Sequence, residues 1–432
     1  MNETHHISTI EQAMEFIYST SWKGSELGLS RITELMRLLG EPQKETKFVH
    51  IAGTNGKGST AAMLENVLSC AKYKTGLFTS PYIQNFGEML RVNGVPISDD
   101  EIIKLANSLR EQVGKMSEAP TEYEIITAMA LLHFKQKECD IVVLEVGLGG
   151  RLDCTNVIDT PEIAIITAIG LDHMAQLGNT VEKIAAEKAG IIKKNGVVIC
   201  HPQEPTVMDV IRKKCNETNS TVFFANDAEI IPGTVSLDGQ EFSYPGGNSE
   251  TYKIPLLGKH QLRNAAVVIE TAKALGLRGR EISQAAIKNG LKGTIWPGRF
   301  EILRKNPVFI ADVAHNPQGI ASTLETLKTL TQEKKFTFIF GVLADKDYKK
   351  MAELLIPHAK RFILTAPENP RALKVKTLYT CINNLDKSVP LICSESILHA
   401  VSHALETSEP GEIICALGSL SMIGILRHRL IR

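Results

Sequence analysis

Residues that could do chemistry crowd one short stretch, Gly53-Thr54-Asn55-Gly56-Lys57-Gly58-Ser59-Thr60. Three glycines, one lysine and a run of hydroxyls offer backbone N–H groups, an ammonium and polar oxygens to a polyphosphate. The apolar run 48–52 before it reads as a buried strand, and Leu64, Val67, Leu68 and Ala71 after it recur at helical spacing. The stretch therefore falls between a strand and a helix N-terminus, where converging amides and the helix dipole favour an anion. Gly58 separates Lys57 from Ser59, so the strict G-x-x-x-x-G-K-S/T pattern is not met, although its strand–turn–helix context is. The chemistry implied is nucleoside triphosphate binding, with Asn55, Gly56, Lys57, Gly58, Ser59 and Thr60 about the phosphates.

Further polar residues stand where apolar runs end. Glu145 lies inside Val142-Val143-Leu144-Glu145-Val146, followed by the glycine-rich Gly147–Asp153. A carboxylate there is costly unless it is ion-paired, protonated or bound to a metal, and both a structural ion pair and a metal site fit. The run 163–169 leads into Gly170-Leu171-Asp172-His173, and 75–79 leads into Ser80-Pro81. Oxygen ligands at strand ends beside a phosphate loop suit Mg²⁺, whereas histidine is an uncommon ligand for it. Asn179 with Glu182 reads as a helix N-cap and capping box, and Lys188 falls seven residues after Val181 on the apolar stripe of that helix. A core-facing lysine would have a depressed pKa and a neutral amine able to add carbon dioxide; a lysine snorkelling off the helix end before Gly190 fits the spacing too. Asp312, His315 and Asn316 follow another apolar run and suit ligand binding.

These groups need a scaffold of strands and helices. Strands are expected at 48–52, 75–79, 140–146, 163–169 and 197–200, separated by helices, which implies a mostly parallel sheet covered on both faces. Residues 222–255 break the rhythm, and Asp238-Gly239 with Pro245-Gly246-Gly247-Asn248 predicts an antiparallel meander. A helix follows over about 261–275, and the Gly- and Pro-containing segment 292–300 reads as a domain boundary. A second series then has strands at 308–312, 336–341, 361–365, 389–392 and 412–416. The fold class is α/β: a P-loop-type, mostly parallel domain with a small meander over 1–295, then a smaller Rossmann-like α/β domain over 296–432. At 432 residues more than one domain is expected. Equal numbers of basic and acidic residues, 48 each, argue against a nucleic-acid partner. No apolar run reaches the ~20 residues of a membrane span, and the N-terminal Met1–His6 lacks the layout of a signal peptide. Eight scattered cysteines without a C-x-x-C pair read as reduced thiols of a cytoplasmic protein.

Taken together, the segments resemble the folylpolyglutamate synthase/dihydrofolate synthase family of the Mur ligase superfamily. The matching pieces are Leu27–Arg31, Gly53–Ser59, Thr79-Ser80-Pro81, Glu145–Asn156, Leu171-Asp172-His173, Glu187–Ile191, Gln261–Ala265, Pro297–Glu301, Asp312–Pro317 and Gly418-Ser419-Leu420, in family order. The resemblance implies an ATP- and Mg²⁺-dependent ligase adding L-glutamate to a reduced folate, tetrahydrofolate, with dihydropteroate as a second acceptor. It makes Lys57, Lys188, His173 and Glu145 catalytic, and Ser80, Glu145 and His173 the Mg²⁺ ligands, with Lys188 carried as a carbamate. Asn264, Arg299 and Asp312 would contact ATP. Leu27, Gly28, Arg31, Thr121, Glu122, Tyr123, Glu124, Leu152, Asp153 and Cys154 would line the pterin site, and His315 and Ser419 the glutamate side. A cytoplasmic monomer handling small molecules, with no nucleic acid or membrane, completes the expectation.

The chain departs from the family pattern at Tyr82, at Glu88-Met89-Leu90, at Met174 and at Ser421, none of which is a proposed metal or phosphate contact. These positions bear on which folate is accepted. Two other readings remain: a Mur-type ligase joining another acid to an amino acid, and a P-loop ATPase or switch without ligase chemistry.

Overall fold

Central parallel strands are buried on both faces and so read as unbroken apolar runs; Phe48–Ala52, with all five residues buried, is such a strand. The computed structural model describes residues 6–24, 26–245, 250–331 and 335–431. Residues 1–5 of the N-terminal stretch and Gly246-Gly247-Asn248 of the expected turn lie outside them. Two compact units form, Met1–Ile230 with Arg263–Thr294, and Ile231–Leu262 with Ile295–Arg432.

The first unit is built on eight strands: β1 Phe48–Ala52, β2 Thr75–Phe78, β3 Leu90–Val92, β4 Val95–Pro96, β5 Ile141–Glu145, β6 Ile163–Ile166, β7 Val197–Cys200 and β8 Thr221–Phe224. Their order is β4-β3-β2-β5-β1-β6-β7-β8. β3 and β4 are antiparallel additions at one edge, and the rest run parallel. The β3–β4 hairpin, absent from the strands expected, turns on Asn93 and Gly94, both at positive φ. β8 also differs from the expectation, since the meander was placed from 222 onward. It is instead a parallel edge strand, and its alternating exposure mimics the period of a half-buried antiparallel strand. The helix Lys57–Cys70 buries Leu64, Val67 and Leu68, and the Asn66 amide donates to the Gly290 carbonyl (2.7 Å) of the helix Gln284–Lys292.

The second unit holds the antiparallel meander β9 Ile231–Ser236, β10 Gly239–Tyr244 and β11 Glu250–Ile254. Its larger sheet has β12 Glu301–Lys305, β13 Val308–Ala311, β14 Phe336–Phe340, β15 Ala359–Leu364, β16 Leu391–Cys393 and β17 Ile413–Leu417, in the order β12-β13-β17-β14-β15-β16. All neighbours are parallel except β12 with β13. β12 was not expected as a strand: only Leu303 in it is buried, so it carries almost no apolar pattern. Phe362 packs at a tilt against both Phe338 and Phe340 in the core, with ring centroids 5.6 and 6.3 Å apart.

Candidate active site

The loop after β1 turns into its helix through Gly56, whose φ of +89° is the left-handed conformation glycine tolerates. A Cβ there would also lie 2.7 Å from Asn264 Oδ1, so Asn264 stands directly against the loop. The amides of Thr54 and Asn55 donate to the Ala168 carbonyl at 2.7 and 3.1 Å. Thr54 Oγ1 donates to the Gly170 carbonyl and accepts from the Gly170 amide, both at 3.0 Å. The segment leading to Asp172 and His173 is thereby latched to the phosphate loop. Gly58, Ser59 and Thr60 are buried in the first turn of the helix.

Two lysines meet on this loop. Lys57 Nζ donates to the Gly53 and Thr54 carbonyls at 3.1 and 3.4 Å and lies 3.9 Å from Glu145 Oε1. Lys188 Nζ donates to the same Gly53 carbonyl at 2.8 Å. Lys188 is buried and does not snorkel. Burial, then the neighbouring Lys57 charge, lowers its pKa to about 7, against the pull of Asp172 and Asp153. Its helix, Val181–Ala189, is capped by Thr180 and not by Asn179. Thr180 is the extended residue, and its Oγ1 accepts from the Lys183 amide, while Asn179 Oδ1 takes Lys183 Nζ at 3.2 Å. With the cap moved one residue on, Lys183 occupies the position a capping-box glutamate would need. The far end of the helix is held by the 147–153 loop. The Arg151 amide donates to the Glu187 carbonyl at 2.7 Å, and a Cβ on Gly150 would come within 2.9 Å of the Lys188 carbonyl.

Glu145, at the end of β5, is 5 % exposed. Ser80 follows β2, and its Oγ is 3.2 Å from the Tyr123 hydroxyl. His173 sits at φ 49°, its ring half exposed, with its amide on Asp172 Oδ1 at 2.9 Å and Nε2 3.9 Å from Asp172 Oδ2. Asp172, quoted in the motif but given no role, faces both His173 and the field of Lys188. Among the described residues no three His, Cys, Asp or Glu side chains gather closely enough to hold a metal alone. Of the expected ligands, the Ser80 hydroxyl and the Glu145 carboxylate are the oxygen donors that suit Mg²⁺, which is held through one or two carboxylates with waters and substrate phosphates.

Three segments far apart in sequence meet one another through hydrogen bonds. Gly28 donates its amide to the Leu152 carbonyl at 3.2 Å. Arg31 Nε donates to Glu124 Oε2 at 3.0 Å, and its guanidinium also pairs with Glu26 and Glu118 at 3.3 Å. Thr121 and Glu124 form the capping box of the helix Glu122–Gln136. Burial raises the pKa of Glu122 and pushes the Tyr123 phenol well up. Asp153 is buried and accepts from the amides of Leu148 (2.8 Å) and Thr155 (3.0 Å) and from the Thr155 hydroxyl. Cys154 Sγ is 3.0 Å from Thr127 Oγ1. Leu27 and Leu152 are partly buried.

In the second unit, Asp312 accepts from the Ala314 and Phe300 amides, each at 2.7 Å. Burial raises its pKa, and the nearby Arg299 opposes that. His315 Nδ1 lies 2.9 Å from the Val313 carbonyl, and Asn316 caps the helix Pro317–Leu330. The Gly418 amide donates to the Ala314 carbonyl at 2.9 Å, which brings the ends of β13 and β17, with His315 and Ser419, side by side. Ser419 Oγ is 3.0 Å from Ser421 Oγ.

Residues 51–272 match the Mur ligase middle domain and 298–420 the Mur ligase glutamate ligase domain. The chain is 37% identical, over 97% of its length and 99% of the relative's, to the dihydrofolate synthase/folylpolyglutamate synthase of Bacillus subtilis. It belongs to the dihydrofolate synthase/folylpolyglutamate synthase family of Mur ligases. Solved members of that family superpose over nearly the whole chain. Mycobacterium tuberculosis folylpolyglutamate synthase complexed with ADP gives a TM-score of 0.88 at 29% identity, covering 98% of each chain. E. coli FolC in complex with DHPP and ADP gives 0.87 at 28%, covering 99% of each. All eight cysteines of this family member are free thiols, and among its described residues no helix is long and apolar enough to cross a membrane.

Proposed function

We propose that the protein is an ATP-dependent ligase joining the amine of L-glutamate to a carboxylate of a folate, with tetrahydrofolate as acceptor and dihydropteroate as a second one. The observation that carries this reading is the Lys57–Gly53–Lys188 cluster beside Glu145, set in a chain alike end to end to a dihydrofolate synthase/folylpolyglutamate synthase. Asn55 to Thr60 and Asn264 of the first unit take the nucleotide, and His315 and Ser419 of the second serve glutamate. Leu27, Gly28, Arg31, Thr121–Glu124 and Leu152–Cys154 line the pterin site. Ser80, Glu145 and His173 would hold Mg²⁺, which when bound supplies positive charge to the phosphates.

A carboxylate is a poor electrophile, so its oxygen first attacks the γ-phosphorus of ATP, ADP departs, and an acyl phosphate forms. Lys57 offsets the charge that builds on the transferring phosphoryl. The glutamate nitrogen then attacks the acyl carbon, inorganic phosphate leaves, and the amine gives up a proton. Lys188, with its lowered pKa, offers a neutral Nζ to carbon dioxide. The N–C bond forms, a proton leaves, and the carbamate places negative charge beside Lys57. The protein acts as a cytoplasmic monomer, checked by sedimentation at working concentration.

The test is incubation with ATP, Mg²⁺, glutamate and either tetrahydrofolate or dihydropteroate, with products weighed by mass spectrometry. A glutamate-mass increment on both acceptors establishes both activities, and on tetrahydrofolate alone a dedicated polyglutamylating enzyme. ATP hydrolysis with no increment on either acceptor sinks the folate assignment.

A further inference from the structure

His50 is the one polar side chain in β1, three residues before Gly53, and it is fully buried. Its Nε2 lies 2.9 Å from Thr155 Oγ1, and that hydroxyl in turn meets Asp153 Oδ1. The proton positions along this chain follow from valence. Asp153 already accepts backbone amides on both oxygens, from Thr155 on Oδ1 and from Leu148 on Oδ2. As a carboxylate it can only accept, so the single hydroxyl proton of Thr155 goes to it. Thr155 Oγ1 must then accept from His50, which fixes the imidazole as the Nε2–H tautomer. The remaining nitrogen, Nδ1, is buried without a hydrogen-bond partner.

An apolar side chain of similar volume would fill that place without burying an unpartnered nitrogen. What it could not supply is the Nε2–H. The donor reaches from β1 to the turn Cys154–Val157, whose N-cap is Asp153. A carboxylate held by two amides and a donor chain rooted in a fully buried strand has one orientation, the condition for reading a flat heterocycle that offers paired N–H groups. We infer that His50 and Thr155 are positioning residues that aim the Asp153 carboxylate at the pterin ring of the folate. This rests on the assignment of Asp153 to the pterin site. β1 then supports both substrates, with the phosphate loop at its end and, through the His50 side chain, the Asp153 carboxylate that meets the pterin.

The test compares H50L, H50Q, T155V, T155S and D153N by separate KM values for folate and for ATP, with thermal melts on each variant. H50L and T155V are expected to raise the folate KM between about 10- and 100-fold, leaving the ATP KM unchanged. Combining them should add little, since either breaks the same chain. H50Q and T155S, which keep a donor and a hydroxyl, should restore most of the affinity whatever they do to the melting temperature. Histidine ¹⁵N spectra should show one ring, absent in H50Q, held as the Nε2–H tautomer and neutral in mildly acidic buffer. Normal folate KM in H50L and T155V beside a raised KM in D153N would overturn the inference while the pterin assignment stood. Normal folate KM in D153N as well would remove both.

Discussion

The Gly53 carbonyl receives Nζ of both Lys57 and Lys188. Burial, and after it the Lys57 charge beside it, lowers the pKa of Lys188 to about 7. In the unfolded chain a lysine titrates near 10.4. Between those values the unfolded state binds more protons than the folded one, so this residue makes stability rise with pH across that window. Its burial cost is full below the folded pKa and gone above the unfolded one. The K188M variant is therefore expected to melt above wild type at neutral pH in carbon-dioxide-free buffer, by a margin that shrinks towards about pH 10. A margin independent of pH would mean that the amine is charged in the fold. That Lys57 belongs to a phosphate loop is legible from its neighbours in sequence. That Lys188 shares its carbonyl is not, because the two partners are 135 positions apart and helical spacing alone allows a snorkelling lysine equally well.

At the level of elements, legibility followed burial. β1, β5 and β14 are buried throughout, and their apolar runs mark them in the sequence. β4, β8 and β12 lie at sheet edges, where one side faces solvent and the apolar signal thins. The cap of the Lys188 helix was misplaced for another reason: Asn179 and Thr180 both suit an N-cap, and only backbone conformation separates them. T180A is expected to cost about 1 kcal/mol in chemical denaturation, the usual worth of a cap, and N179A only a few tenths. The reverse ranking would return the cap to Asn179. G150A carries the same helix into function. Its added methyl would press on the Glu187 and Lys188 carbonyls, 2.8 and 2.9 Å away, so turnover should fall with the nucleotide KM largely retained, read from steady-state kinetics.

For the molecule as a whole, nucleotide binding should register as stability. Mg²⁺ and ATP at a hundredfold excess over Kd stabilise a folded protein by about 2.7 kcal/mol if only that state binds. A thermal shift of that origin is expected for the wild-type chain and should be strongly reduced in K57A, with the apo melting temperatures of the two close together. An undiminished shift in K57A would place the phosphates elsewhere. The interleaving of the two units has a consequence for how the chain is made. Residues 1–230 leave the ribosome well before the helix Gln284–Lys292, whose Gly290 carbonyl takes the Asn66 amide of the phosphate-loop helix. At about 5–20 residues per second, synthesis holds the phosphate-loop helix without that neighbour for roughly 10–40 seconds. Meanwhile 231–262 emerges before the 295–432 segment of its own unit. The unit that carries the phosphate loop therefore cannot finish folding until residues 231–262 of the other have been made, so the nascent chain becomes a binder of ATP only late in its synthesis.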